Sequence, residues 1–203
     1  VEHWGLVYRV DFLQATFPMK RGDGTIQKAF YGFGVSEWEI SWPLLTGRIL
    51  RLADSHPAAV KDAEYLLSHD DVTHFFCVPS QLDALIDFGF RNTTIKYVFS
   101  AGEALQLKQC RDCRRKILPN ASIVNLYGPT EADMTYFVVD PFSGEESAVV
   151  PAGFPIFHSR VFLADDGEIC FAGPGVSRGY LNRPELTSTT KAVSTFLDAP
   201  TDR

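Results

Sequence analysis

Thr73-His74-Phe75-Phe76-Cys77-Val78 is an unbroken run of strand-forming, mostly apolar residues, stopped by Pro79. A strand that avoids water on both sides is covered on both sides, which is the habit of parallel sheets sandwiched by helices. The neighbouring sequence supplies the covers. Val60, Ala63 and Leu66-Leu67 repeat with helical spacing, with Ser55 before them and Pro57 in the first turn. Ser80 followed by Asp83 predicts a capping box for a helix from Gln81 to Phe88, ended by Gly89. Ile95 to Phe99 reads as the next strand, Gln106 to Ile117 as a helix, and Ser122 to Leu126 as another strand. Upstream, strands near Thr25 to Lys28 and Arg48 to Ala53 bracket an aromatic-rich segment in which Trp38 and Trp42 share one helical face. Alternating strands and helices predict right-handed βαβ units in an α/β fold, a doubly wound, mostly parallel sheet with helices on both faces.

After Thr135 the pattern changes. Thr135 to Val139, Arg160 to Ala164 and Glu168 to Ala172 read as short strands with no helix between them, and Asp165-Asp166-Gly167 as a tight hairpin turn. Arg183-Pro184-Glu185-Leu186-Thr187 starts a last helix. The expected division is an α/β part over residues 1–144 and a small antiparallel, barrel-like β part over residues 145–203.

Composition narrows the functional classes. A hydrophobic content of 45% with 22% charged residues describes a globular chain, and a net charge of −6 gives no support to nucleic acid or an anionic membrane as a partner. No apolar run is long enough to span a bilayer, and no basic-then-apolar leader pattern appears at Val1. Cys110-x-x-Cys113 lies in a helical stretch with no second pair of ligands nearby, short of the four that zinc needs. Cys77, Cys110, Cys113 and Cys170 are therefore read as reduced thiols of a cytoplasmic protein.

The chemistry concentrates in Asn125-Leu126-Tyr127-Gly128-Pro129-Thr130-Glu131. A short apolar strand runs into a turn carrying a ring, a hydroxyl and a carboxylate. In open α/β sheets the carboxyl ends of strands are where ligands bind. A hydroxyl beside a carboxylate suits a phosphate oxygen and its Mg²⁺, which prefers oxygen ligands and keeps several waters. The same residues also make a plain Gly-Pro turn that needs no ligand.

The seven-residue stretch resembles the adenine and Mg²⁺ motif of adenylate-forming enzymes, most closely that of adenylation domains in non-ribosomal peptide synthetases. Three further stretches resemble the same family in the same order. Phe33-Gly34-Val35-Ser36-Glu37-Trp38-Glu39-Ile40, with Trp42-Pro43-Leu44-Leu45-Thr46-Gly47 behind it, is similar to the F-D-x-S-x-W-E pocket segment. Ser100-Ala101-Gly102-Glu103-Ala104-Leu105 is similar to the strand-to-helix turn that wraps the nucleotide. Gly167-Glu168-Ile169-Cys170 through Gly175-Val176-Ser177-Arg178-Gly179-Tyr180-Leu181 is similar to the G-E-L…G-V-A-R-G-Y-L motif. Val1-Glu2-His3-Trp4-Gly5-Leu6 matches the family's V-x-H-x-G-L, except that Trp4 stands where a basic residue is usual; His3 is read as structural.

The resemblance implies ATP-dependent activation of a carboxylic acid as an acyl-adenylate, with transfer to the phosphopantetheine thiol of a carrier-protein domain. It implies that Asn125 bonds the adenine amine, Tyr127 stacks on the ring, Thr130 holds the α-phosphate and Glu131 binds Mg²⁺. Thr130 and Glu131 would be the catalytic pair, and Ala101, Gly102, Glu103, Ala104, Leu126 and Gly128 would complete the nucleotide site of ATP or AMP. Gly102-Glu103 reads equally as a helix-start turn with an acid at the positive end of the dipole. The acid pocket would be Phe33, Gly34, Val35, Trp38, Phe76, Phe99, Ala101, Leu126, Met134 and Thr135.

Gly34 departs from the family. Amino-acid-activating members carry an aspartate here that pairs with the substrate's α-ammonium, and a buried ammonium without a counter-charge is strongly disfavoured. An uncharged pocket implies an α-keto, α-hydroxy or aryl acid, unless Glu37 or Asp133 replaces the charge or the pocket has decayed. The family's lysine-bearing phosphate loop is expected before Val1. The ribose-binding Y-x-T-G-D segment and the mobile C-terminal subdomain with its catalytic lysine are expected after Arg203, so that the chain reads as an internal fragment with negligible activity alone. An acyl- or aryl-CoA ligase of the same superfamily and a non-catalytic nucleotide-binding or interaction module are the other readings of these residues.

Overall fold

The computed structural model describes residues 1–53, 65, 69–89, 91–132, 134–144 and 148–190. The elements are α1 (His3–Thr16), β1 (Gly24–Gln27), α2 (Gly34–Thr46), β2 (Ile49–Leu52), β3 (Val72–Cys77), α3 (Pro79–Phe88), β4 (Tyr97–Ser100) and α4 (Leu107–Asp112). A π-helical turn (Cys113–Ile117) follows, then β5 (Ser122–Tyr127), β6 (Thr135–Val139), β7 (Phe154–Pro155), β8 (Arg160–Leu163), β9 (Ile169–Ala172) and α5 (Pro184–Thr190). The helix expected from Pro57 lies outside the described residues, apart from helical Tyr65.

Seven strands form one sheet in the order β2-β1-β3-β4-β5-β6-β7. The first five are parallel, and β6 and β7 join antiparallel. Every residue of β3 is buried, as its unbroken apolar run predicts. Side chains alternate across the sheet with a period of two, so each strand feeds two cores. On one face Phe75, Cys77, Val98 and Ile123 meet Leu82, Leu85 and Ile86 of α3 and Leu107 and Cys110 of α4. On the other, Phe76, Phe99, Val124 and Leu126 meet Tyr8, Phe12 and Leu13 of α1 and Trp38 and Trp42 of α2. The shared helical face of the two tryptophans is thus a core face, with Trp38 edge-on to both Phe76 and Phe99.

Two local expectations are corrected. The helix after β3 begins at Pro79, because proline's fixed φ suits the first helical turn, and Ser80 with Asp83 does not cap it. Gln81 Oε1 accepts the Val78 N–H at 3.4 Å instead, while Asp83 accepts from Gln109 Nε2 at 2.7 Å. The stretch from 106 to 117 is not one regular helix: it widens into a π-helical turn at Cys113. Cys110 and Cys113 are free and fully buried, and loss of hydration pushes the Cys110 thiol up to about 12.

The chain after residue 148 returns to the large sheet before it leaves. Val150 enters the first core and Ile156 the second. β7 reaches β6 through Gly153, whose φ of +92° and whose absent Cβ, which would lie 2.1 Å from Tyr136 O, leave room for glycine alone. β8 and β9 form a separate hairpin closed at Gly167, whose N–H bonds Ala164 O at 2.9 Å.

His74 sits in the wall of the second core, edge-on to Trp42, with Nε2 donating to Phe17 O at 3.1 Å and Nδ1 accepting from Thr73 Oγ1 at 2.9 Å. Burial drives its pKa down to about 4, against a smaller upward pull from the Phe17 carbonyl. The folded protein therefore holds this ring neutral where the unfolded chain, titrating near 6.5, already binds a proton. Stability falls as the pH drops from about 6.5 to about 4, by about 3 kcal/mol in full. Urea unfolding measured across that window should show this slope, and His74→Phe should flatten it.

Candidate functional site

The parallel strands end together. Register places Phe76 beside Phe99 and Phe99 beside Val124 on one face, and Cys77, Ser100 and Asn125 in the next row on the other. Beyond these carboxyl ends the loops after β1, β3, β4 and β5 enclose a cleft of about 500 Å³. Its walls are mainly apolar: Phe30, Phe33, Val35, Trp38, Phe76 and Met134.

The expected acid-pocket residues divide. Phe33, Gly34, Val35, Trp38, Phe76, Ala101, Leu126 and Met134 line the cleft. Phe99 lies beneath it as floor, buried among Phe17, Trp38 and Trp42. Thr135 is turned away: its hydroxyl donates to Ala152 O at 2.6 Å, with Tyr127 O at 3.3 Å, which closes the start of the β5–β6 ladder. Gly34 opens α2, and a Cβ placed on it would meet Thr130 Cγ2 at 3.4 Å, an ordinary contact. A Cβ would therefore fit against Thr130 without a clash.

The nucleotide motif is brought to the same cleft, though not whole. Gly102, Glu103, Tyr127, Gly128 and Thr130 line it. Gly102 has φ +90°, which favours glycine at the turn after β4. Glu103 accepts from the N–H and hydroxyl of Ser80 at 2.9 and 3.0 Å, so its carboxylate sits at the N-terminal, positive end of α3 rather than of the following helix. Ala104 is exposed and outside the lining. Asn125 is buried, its Nδ2 donating to Pro151 O at 2.9 Å, which leaves Oδ1 as the acceptor. The Tyr127 ring is partly exposed and tilted against Phe171 of β9, 6.2 Å between centroids.

Glu131 is exposed and lies outside the cleft lining. Its Oε1 accepts from Tyr180 Oη at 2.9 Å, and its backbone carbonyl accepts from Ser177 N at 2.7 Å. The Gly-Val-Ser-Arg-Gly-Tyr-Leu segment is therefore fastened to the turn after β5. Holding its proton toward a carboxylate raises the Tyr180 phenol pKa. Among the described residues no three His, Cys, Asp or Glu side chains group as a metal site. Asp133 lies outside the described residues.

Sequence reasoning passed over three groups that build this cleft. Arg9 of α1 is buried and lines it, its guanidinium donating to Ala132 O and to Gly175 O. Lys28 lines it from the carboxyl end of β1 and donates from Nζ to Gln81 Oε1 at 3.0 Å. Glu39, the acid that closes the Phe33–Glu39 motif, is buried under the loop and accepts the backbone N–H groups of Lys28 at 3.1 Å and Ala29 at 3.0 Å. The location of Lys28 just past a parallel strand and the place of Glu39 as the closing acid of the pocket motif were the available signals; for Arg9 the sequence offered none.

The family model for AMP-binding enzymes matches residues 1–181. Vanchrobactin synthetase VabF of Vibrio anguillarum is 35% identical over 221 aligned positions, covering 97% of this chain and 8% of that protein. Zwittermicin A synthase ZmaJ of Bacillus cereus is 34% identical, covering 98% of this chain and 41% of that protein. Among solved structures, the non-ribosomal peptide synthetase FmoA3 in its AMPPNP-bound form superimposes with a TM-score of 0.85 at 23% identity, over 93% of this chain and 22% of that one. The chain belongs to the AMP-binding enzyme family, and its fold is that of the adenylate-forming enzymes. It spans less than half the length of each of these relatives. No helix among the described residues is long and apolar enough to cross a membrane.

The clamp by Glu39 makes a separable prediction. Glu39→Ala leaves two backbone donors beneath the cleft without their acceptor and should cost about 2 kcal/mol or more in denaturant unfolding. Glu39→Gln keeps an acceptor oxygen in place and should cost markedly less, with cleft ligands bound as in the parent.

Proposed function

We propose that the protein carrying this chain activates a carboxylic acid with ATP, releasing pyrophosphate and forming an acyl-adenylate, whose acyl group a carrier-protein thiol then takes as a thioester with release of AMP. The observation that carries the reading is the shared cleft: Gly102, Tyr127 and Thr130 of the nucleotide motifs line the same 500 Å³ as Trp38, Phe76 and Met134. A carboxylate oxygen attacking the α-phosphorus needs both partners in one water-poor space and in line, so positioning is the main contribution the protein makes.

The side chains fit the parts. Asn125 presents Oδ1 to an amine donor once Nδ2 is tied to Pro151. Tyr127 offers the ring face not turned to Phe171 for stacking. Thr130 lies beside Gly34, its hydroxyl 3.5 Å from where a Cβ would sit, close enough to hold a phosphate oxygen beside the acid. An exposed Glu131 with one oxygen held by Tyr180 suits a hard cation that retains most of its waters, so Mg²⁺ would rest on Glu131, phosphate oxygens and water. Bound there, Mg²⁺ supplies charge neutralisation at the phosphates.

The acid is of the kind without an α-amine: an α-keto, α-hydroxy or aryl acid. Support comes from the lack of a side chain at Gly34 and from the sign of the lining, which among the described residues holds the cations Arg9 and Lys28 and one carboxylate, Glu103. Among the described residues of the lining, the one acid an α-ammonium would meet is Glu103, already engaged with Ser80. ATP–pyrophosphate exchange by the full-length protein over a panel of acids tests the reading. Exchange with keto, hydroxy or aryl acids above L-amino acids is the expected result, and preference for an ordinary L-amino acid overturns the substrate class. Gly34→Asp, whose Cβ fits beside Thr130, should move the ratio of amino-acid to keto-acid exchange upward by about tenfold or more.

A further inference from the structure

The carboxylate of Glu131 is held from 49 residues further along the chain. Arg9 of α1 donates to Ala132 O and, at 3.2 Å, to Gly175 O, and Ser177 N donates to Glu131 O at 2.7 Å. These bonds fix the backbone at residues 131 and 132 and lay the Gly175–Leu181 segment against the turn after β5. They set no direction for the Glu131 side chain, which is exposed and free to change rotamer. One bond supplies the direction: Oε1 accepts from Tyr180 Oη at 2.9 Å. An ionised carboxylate only accepts, so the phenol is the donor. Among the described residues the other oxygen, Oε2, has no hydrogen-bond or ion-pair partner.

Tyr180 is itself seated. Its backbone N–H donates to Thr187 Oγ1 at 2.9 Å, and that hydroxyl donates to Arg183 O at 2.9 Å in the first turn of α5. Its carbonyl accepts from Arg183 N at 3.1 Å. Gly179 permits the seat: its φ is +134°, and a Cβ there would lie 2.4 Å from Thr187 Cγ2. Any side chain at residue 179 would push Thr187, and with it Tyr180, away from Glu131. Gly179, Tyr180 and Thr187 lie outside the cleft lining, so they act through Glu131 rather than on a ligand in the cleft.

We propose that Tyr180 is a positioning residue for Mg²⁺ binding: its phenol holds the Glu131 carboxylate in the orientation that leaves Oε2 for the cation, and Gly179 and Thr187 hold the phenol. The inference rests on the reading that Glu131 carries Mg²⁺, and it names the groups that aim that carboxylate. A hydrogen-bond partner behind a ligating carboxylate sets its direction before the ion arrives, and removing such a partner costs about tenfold or more in metal affinity.

The test is equilibrium binding of ATP to the full-length protein by calorimetry, in Mg²⁺ and in EDTA, with AMP in EDTA as the control. Mg²⁺ should tighten ATP binding by the parent. Tyr180→Phe should lose about tenfold of that tightening, with AMP affinity in EDTA and the melting temperature unchanged. Thr187→Val should lose part of it. In a Glu131→Gln background, where the tightening is already gone, Tyr180→Phe should change nothing further. Full tightening in Tyr180→Phe, or weakening of AMP in EDTA by the same factor, overturns the positioning role and leaves Glu131 its metal. No tightening in the parent, or full tightening in Glu131→Gln, overturns the metal reading of Glu131 and the positioning role with it. If Tyr180→Phe does not fold, Thr187→Val decides by the same ratio.

Discussion

A parallel sheet leaves its strands pointing the same way, and their carboxyl ends must all be closed at one edge. Each strand there runs out of ladder partners together with its neighbours, and the freed N–H and C=O groups of the exit loops need others. In this protein polar side chains supply them. Glu39 receives the loop after β1, Gln81 the residue that ends β3's exit, and Thr135 ties the exit of β5 to the segment before β7. Arg9 reaches from α1 to hold the turn after β5 and the segment at Gly175. The cleft exists because these closures hold four loops apart around a shared space.

That division of labour explains which motif residues face the cleft and which do not. Trp38 and Phe76 present rings to it because they sit on the sheet face and helix face that meet beneath it. Glu103 lines it with a carboxylate already anchored at the start of α3, and Glu131 stands outside with Tyr180. The carboxylates of these stretches thus act partly as structural acceptors. Among the described residues, the cations that line the cleft are Lys28 and Arg9.

Much of this was legible in the chain. The unbroken apolar run of β3 required burial on both faces, and alternation of strand and helix patterns required a parallel α/β sheet. Gly89 ends α3 in a left-handed conformation, where sequence places it. The cap of the same helix was not legible, because Ser80 and Asp83 have the right spacing but other partners, Glu103 and Gln109, compete for them across the fold. Neither was the path after residue 148: short strands look alike in sequence whether they extend the large sheet, as β7 does, or pair with each other, as β8 and β9 do.

By itself the sequence determined the layers, the order of strands and helices, and the residue types gathered at the carboxyl edge, because periodicity and turn chemistry are local properties. Only the tertiary structure decided which of those side chains face the cleft. Thr135 was spent on two carbonyls, Phe99 became floor, and Lys28 was held at the rim by an acid eleven residues further along the chain. Those outcomes turn on competition for hydrogen-bond partners between segments far apart in the chain, and spacing along one segment carries no record of it.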